Sequence, residues 1–139
     1  MNSNFLRTVL AQESRAYGFT LAFWGSGIVL VDSFGLPDLG LVLSYTGGAI
    51  LGFGLITLAA FRQPLENVEY EETDYMVFSM IHFISALVPI LLTSWLTRFE
   101  PQTAFLVSGA SVSMNYNLLM ILEERLAERI AKVERRIAL

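Results

Sequence analysis

LGLVLSYTGGAILGFGLITLAAF, residues 39–61, is a continuous run without a charged side chain. Its 23 residues are enough for an α-helix to cross the hydrocarbon core of a bilayer. Gly40, Ser44, Gly48 and Gly52 recur at intervals of four, so they share one helix face as a GxxxG-type repeat. A face of small residues lets another helix approach backbone to backbone. The stretch therefore predicts a membrane-spanning helix at the packing centre of a small helical membrane protein.

Charged residues are confined to the ends and linkers of the chain. Of 139 residues, 54% are hydrophobic and 16% are charged, which is far from the composition of an ordinary soluble domain. Four segments carry no charge at all, and they are residues 16–31, 39–61, 75–97 and 101–122. We predict an all-α integral membrane protein whose domain 1–122 has four transmembrane helices. The first charge-free segment is short, and either local thinning of the bilayer or Asp32 at headgroup level accommodates it. The predicted spans one to four are residues 16–34, 39–61, 75–97 and 101–122.

The first span carries a second stripe of small residues. Gly18, Ala22 and Ser26 are spaced by four, and the linker DSFGLPD that follows is short and rich in turn-forming residues. A short linker makes consecutive spans antiparallel neighbours. We therefore expect the stripe of span one to dock against the glycine face of span two.

Amphipathic segments flank the four spans. Residues 2–15 form an amphipathic N-terminal helix, which either lies in the membrane interface or leads directly into span one. Residues 123–139 continue span four as a cytoplasmic, coiled-coil-like helix. Its apolar positions are separated by 3, 4, 4, 3 and 4 residues, an eleven-residue repeat that predicts a straight or slightly right-handed bundle. This stripe either packs on another copy of the chain or lies along the membrane, and self-association is preferred; its residues are Leu119, Leu122, Leu126, Ile130, Val133 and Ile137.

Span four is the most polar of the predicted spans. Ser108, Ser111 and Asn115 share one face, whereas Ser113 and Asn117 lie on nearly the opposite face. Polar groups without partners cost several kcal/mol in lipid. We therefore expect span four to be covered on two sides, by its own bundle and by either another subunit or water.

Span three has one stripe of small and polar residues that should face protein: Ser79, His82, Ala86, Pro89 and Thr93. His82 is the single histidine and lies at about the same depth as Asn115. A hydrogen bond from His82 to Asn115 or Asn117 is the simplest prediction. A proton-linked switch and an axial haem ligand are sharper alternatives for this side chain.

Basic residues predict the orientation of the spans. Four spans place both termini and the 62–74 loop on one side, which holds Arg7, Arg15, Arg62 and five basic residues of the tail. The other side holds only Arg98. By the positive-inside rule, both termini are cytoplasmic in the cell (plasma) membrane.

Several functional classes are disfavoured by what the sequence lacks. The charge-free spans contain no acid for proton coupling, no arginine ladder and no lysine for retinal attachment, and the chain has no cysteine. The acidic loop at 66–74 is either a divalent-cation site or, more simply, solvated. We expect no enzyme activity, no metal, no cofactor and no nucleic-acid partner.

Two functions remain open at this stage. The first is an oligomeric channel or facilitator for an ion or small polar solute, with a polar path of hydroxyl, amide and imidazole groups. The second is a non-catalytic structural or accessory subunit that assembles through its C-terminal helix or recruits a protein partner there. The same residues would line the path or only hold helices together: Ser79, His82, Thr93, Ser108, Ser111, Ser113, Asn115 and Asn117.

Overall fold

The computed structural model describes residues 3–61 and 75–137, with side chains at 9, 13, 15–60, 84–123 and part of the tail. The four helices in these ranges are α1 (Ser3–Phe34), α2 (Leu39–Phe61), α3 (Tyr75–Leu96) and α4 (Pro101–Ile137). The described ranges contain no β-strand. The all-α prediction is therefore confirmed.

The linker between α1 and α2 has the local chemistry of a tight turn. Gly35 adopts a positive φ of 82°, a conformation that glycine accepts without steric cost, and its N–H donates to the carbonyl oxygen of Val31 (2.8 Å). The N–H of Leu41 then donates to Oδ1 of Asp38 (2.9 Å), which caps the start of α2. These residues end α1 and begin α2 at the predicted position.

Both amphipathic ends are continuous with the helices beside them. α1 runs without a break from Ser3, so the N-terminal segment leads directly into the first predicted span rather than forming a separate helix. No proline or turn-forming cluster occurs near residue 15 to stop it. α4 extends over 37 residues, about 55 Å, and joins span four to the tail as predicted.

The packing centre of the bundle is α4. α4 packs against all three other helices, and α1 also packs against α3. Among the described residues, no Cα atom of α1 lies within 8 Å of one in α2. The expectation that span one docks against span two is therefore wrong, and so is the assignment of the packing centre to residues 39–61. The short linker allows the two helices to diverge onto different faces of α4.

The helices alternate in direction. Gly48 and Gly52 of α2 lie against Leu106 and Ala110 of α4, in the same order, so these two helices are parallel. Leu30 of α1 clusters with the start of α4, whereas Ala22 clusters further along it, so α1 is antiparallel to α4. These directions are those expected when each linker reverses the direction of the next helix.

Among the described residues, two helical segments are long and apolar enough to cross a membrane: Leu39–Ala60 and Pro101–Glu123. A shorter apolar segment, Ile84–Leu96, lies in α3. The outward faces of the helices expose large apolar side chains such as Trp24, Ile50 and Leu91. An apolar exterior of this kind favours membrane association.

Candidate functional site

α2 and α4 approach closely at the glycine interface, formed by Gly48 and Gly52 of α2 and Gly109 of α4. A Cβ atom at Gly52 would lie 2.5 Å from the carbonyl oxygen of Ala110. Cβ atoms at Gly48 and Gly109 would collide with the carbonyl oxygens of Leu106 and Tyr45. The two backbones therefore touch directly, which only glycine permits at these three positions.

The other half of the predicted glycine face does not join this interface. Gly40 is exposed, and the nearest atom to its missing Cβ is Oδ1 of Asp38. Ser44 donates its hydroxyl to the carbonyl oxygen of Gly40 (2.9 Å) and accepts a hydrogen bond from Nε2 of Gln102 (2.6 Å). Sequence reasoning missed Gly109, although its small neighbours Ser108 and Ala110 are the signal that could have found it.

The polar side chains of α4 are covered within the single chain. Ser108, Ser111 and Ser113 are all buried. Nδ2 of Asn115 donates to the hydroxyl of Ser111 (2.7 Å), and Nδ2 of Asn117 donates to the carbonyl oxygen of Ser113 (2.6 Å). α4 packs on three helices, which bury the three serines, whereas Asn115 and Asn117 stay half-buried.

Two buried hydroxyls have no hydrogen-bond partner among the described residues: Thr93 and Ser108. More exposed hydroxyls, such as those of Thr20 and Thr57, instead donate to the carbonyl oxygen four residues earlier. Buried polar groups without partners are uncommon and costly. The hydroxyls of Thr93 and Ser108 therefore act here as small side chains that permit close helix packing.

Part of the predicted polar path lies outside the described side chains. Ser79 and His82 lie in α3, but their side chains are not described, so the predicted hydrogen bond from His82 stays a prediction. The rest of that stripe, Ala86, Pro89 and Thr93, is buried as expected. The acidic loop 66–74 also lies outside the described residues, so its predicted alternatives, a divalent-cation site or a solvated loop, stay predictions. No group of three metal-ligating side chains occurs among the residues that are described.

A lateral cleft of about 630 Å³ lies between α1 and α2, with α4 as its floor. Its lining is mostly apolar, with hydroxyl and amide groups on the floor and one arginine at the end nearest the start of α1. Tyr116 donates its hydroxyl to the carbonyl oxygen of Arg15 (2.7 Å), which holds α1 against α4 at that end. The lining residues are Arg15, Ala16, Phe19, Phe23, Thr46, Ala49, Ile50, Phe53, Ser113, Tyr116, Asn117 and Met120.

Tyr45 links α2 to α1 where the cleft ends at Phe23. Its hydroxyl donates to the carbonyl oxygen of Phe23 (2.5 Å), and the two ring centroids are 4.6 Å apart. The Tyr45 side chain thus reaches across the gap between the two helices. This contact fixes the width of the cleft while leaving the backbones of α1 and α2 apart.

The buried face of α4 passes through Glu123. Glu123 is 7% exposed, whereas its neighbour Leu122 is 53% exposed. Leu122 belongs to the predicted association stripe and points away from the bundle, exposed like Leu126, so that stripe stays a prediction. With Glu123, the spacing alternates between 4 and 3, the heptad pattern of left-handed helix packing rather than the predicted eleven-residue repeat. The face of α4 that is drawn through Glu123 contains Val112, Tyr116, Leu119, Glu123, Leu126, Ile130, Val133 and Ile137.

The last four residues of this face, which we call the tail face, are about half exposed or more: Leu126, Ile130, Val133 and Ile137. The same face of α4 is covered by α1 and α3 nearer the start of the helix.

No family model, curated protein or solved structure matches this chain. Its function is therefore argued from the glycine interface, the lateral cleft and the exposed tail face.

Proposed function

We propose that this protein is a non-catalytic integral membrane subunit that spans the membrane four times and assembles as a homodimer through the tail of α4. The observation that carries the proposal is the tail face. It continues the buried face of α4 beyond the bundle, where large apolar residues remain exposed. An apolar stripe of this regularity is typical of a helix that has a partner.

The alternating helix directions support four spans. Among the described residues, two helices meet the requirements of length and hydropathy, and α1 and α3 alternate with them along the chain. Eight of the nine basic residues then lie on the side of the two termini. This asymmetry favours a plasma-membrane protein with a cytoplasmic tail.

A second copy of the chain is the occupant that fits the tail best. The membrane orients all copies alike, so two tails extend from it in parallel and at the same height. Residues 123–139 contain four acidic and five basic side chains, so two tails repel each other little. A symmetric dimer places the same apolar stripe on both sides of one axis.

The heptad register of the tail favours two strands. Ile130 and Ile137 take position a, while Leu126 and Val133 take position d. β-branched residues at a favour parallel dimers. In this register, position 129 (arginine) precedes position 134 of the other copy (glutamate) as a g–e pair of opposite charge.

Cysteine cross-linking tests this assembly, because the chain has no native cysteine. Val133→Cys lies at position d and should form a disulfide-linked dimer in native membranes under mild oxidation. Lys132→Cys is the matched control, since it is adjacent in sequence but points away from the stripe. The expected result is dimer for the first variant and monomer for the second.

The mass of the purified protein gives an independent measurement. Replacement of Ile130 and Ile137 together by Asp should convert a dimer in detergent to a single chain, while the helical content stays unchanged. Equal cross-linking at positions 132 and 133, or a wild-type mass of one chain, contradicts assembly through the tail.

A channel or facilitator is the second candidate function. It is favoured by the position of Ser113 and Asn117, which present polar groups on the floor of the lateral cleft. Permeation needs water along α4, whereas a packed subunit keeps the same residues dry. The two functions therefore differ in the water access that they predict for α4.

A further inference from the structure

We propose that the lateral cleft binds one acyl chain of an anionic phospholipid, whose phosphate group lies at Arg15. The proposal rests on the membrane placement proposed above, but not on the dimer. It assigns a ligand to a surface that the glycine interface and the tail face do not use.

The shape of the cleft suits a lipid chain. α1 and α2 diverge above α4, and the exposed side chains of Ile50 and Phe53 lie along the open side. In a bilayer this side faces lipid, so an acyl chain enters without crossing protein. The volume of about 630 Å³ lies within the range of small-molecule sites, about 300–1,000 Å³.

The length of the cleft favours a chain over a helix from another copy. Along α1 it extends from Arg15 to Phe23, about 12 Å at 1.5 Å per residue. This is close to the hydrocarbon thickness of one leaflet, about 15 Å. A helix is about 10 Å wide and would need a longer groove to bury a useful surface.

The charge at one end identifies the class of lipid. The exposed Arg15 lies where the basic residues predict the cytoplasmic surface. Asn117 lies at the same end, because it follows Tyr116, whose hydroxyl donates to the Arg15 carbonyl oxygen. A guanidinium group binds phosphate through paired hydrogen bonds, and cytoplasmic leaflets are rich in anionic lipids.

Native mass spectrometry of the full chain in detergent tests the proposal, with phosphatidylglycerol and phosphatidylcholine as probes. Wild-type protein should retain one phosphatidylglycerol per chain. Arg15→Gln should lower phosphatidylglycerol retention about fivefold while sparing phosphatidylcholine, since one basic residue contributes about 1 kcal/mol at an anionic surface. Arg98→Gln, at the opposite end of the bundle, is the matched control and should change nothing.

A second pair of variants tests the acyl-chain site itself. Ala16→Phe narrows the mouth of the cleft and should lower retention of both lipids, whereas Ala59→Phe on the exposed surface of α2 should not. Equal effects of the two arginine variants, or of the two alanine variants, overturn the proposal. Release of wild-type chain from membranes by carbonate would instead contradict the membrane placement. Retention of the chain in membranes without bound phosphatidylglycerol contradicts the cleft proposal alone.

Discussion

The two sides of α2 meet their neighbours in opposite ways. At the glycine interface, α2 and α4 approach until the backbones touch, because Gly48, Gly52 and Gly109 have no side chains to keep them apart. At the lateral cleft, the backbones of α2 and α1 stay apart and the side chain of Tyr45 reaches across. Both surfaces are apolar, so hydrophobicity does not distinguish them. The difference teaches that side-chain size decides which helices meet.

Side-chain size decides the packing because, in the proposed membrane placement, lipid surrounds the helices. Lipid chains are as apolar as leucine, so burying apolar surface between helices gains little in a bilayer. Close van der Waals packing then contributes more, and it is strongest where backbones approach. α1 presents Phe19 and Phe23 toward the cleft, and these rings prevent such an approach.

Gly48→Ala should have the largest effect on this contrast. Its new Cβ would collide with the carbonyl oxygen of Leu106, so we expect a loss of about 2 kcal/mol or more in the free energy of unfolding. Gly47→Ala is the matched control, since no atom lies within 4 Å of its Cβ position. It should be neutral or slightly stabilising. Reversible unfolding in mixed micelles measures both, and equal effects would show that the helices do not touch here.

Single cysteines should distinguish the closed surface from the open one. In detergent, Asn117→Cys should react with a small uncharged maleimide about tenfold faster than Ser108→Cys, because position 108 is fully buried. In native membranes, a charged thiol reagent should label neither. Labelling by the charged reagent along one face, either at positions 108, 111 and 115 or at positions 113 and 117, would instead support a water-filled path. Lys132→Cys, on the exposed tail, is the positive control.

Tyr45→Phe should have the smallest of these effects. It removes the hydrogen bond to the Phe23 carbonyl oxygen but keeps the ring contact, so we expect a loss of about 1 kcal/mol. Tyr17→Phe, which is largely exposed, should change stability less. The midpoint of thermal unfolding in detergent measures the difference. An identical midpoint in both variants would mean that Tyr45 does not hold the two helices together.

The helices themselves could be predicted from the sequence, because charge and hydropathy change sharply at their ends. α2 begins and ends at the predicted residues, and α4 continues into the tail as expected. The choice of neighbours could not be predicted in the same way. The glycines of α2 fit any helix with small residues, and both α1 and α4 carry them.

The site was also harder to predict than the helices. Residues 119–123 contain four apolar side chains in a row before Glu123, so the stripe can be drawn through Leu122 or through Glu123 on spacing alone. A rule that places charges outward selects Leu122. The structure selects Glu123. The lateral cleft could not be predicted either, because it exists only where two helices fail to meet.

The length of α4 has a mechanical consequence. This helix is the only described one that packs against all the others, and it continues for 37 residues to Ile137. An unbroken helix transmits rotation along its axis, since no loop or turn absorbs the twist. The direction of the tail is therefore set by the glycine contact about 40 Å away at 1.5 Å per residue. A change that rotates α4 about its axis beside α2 therefore also rotates the tail.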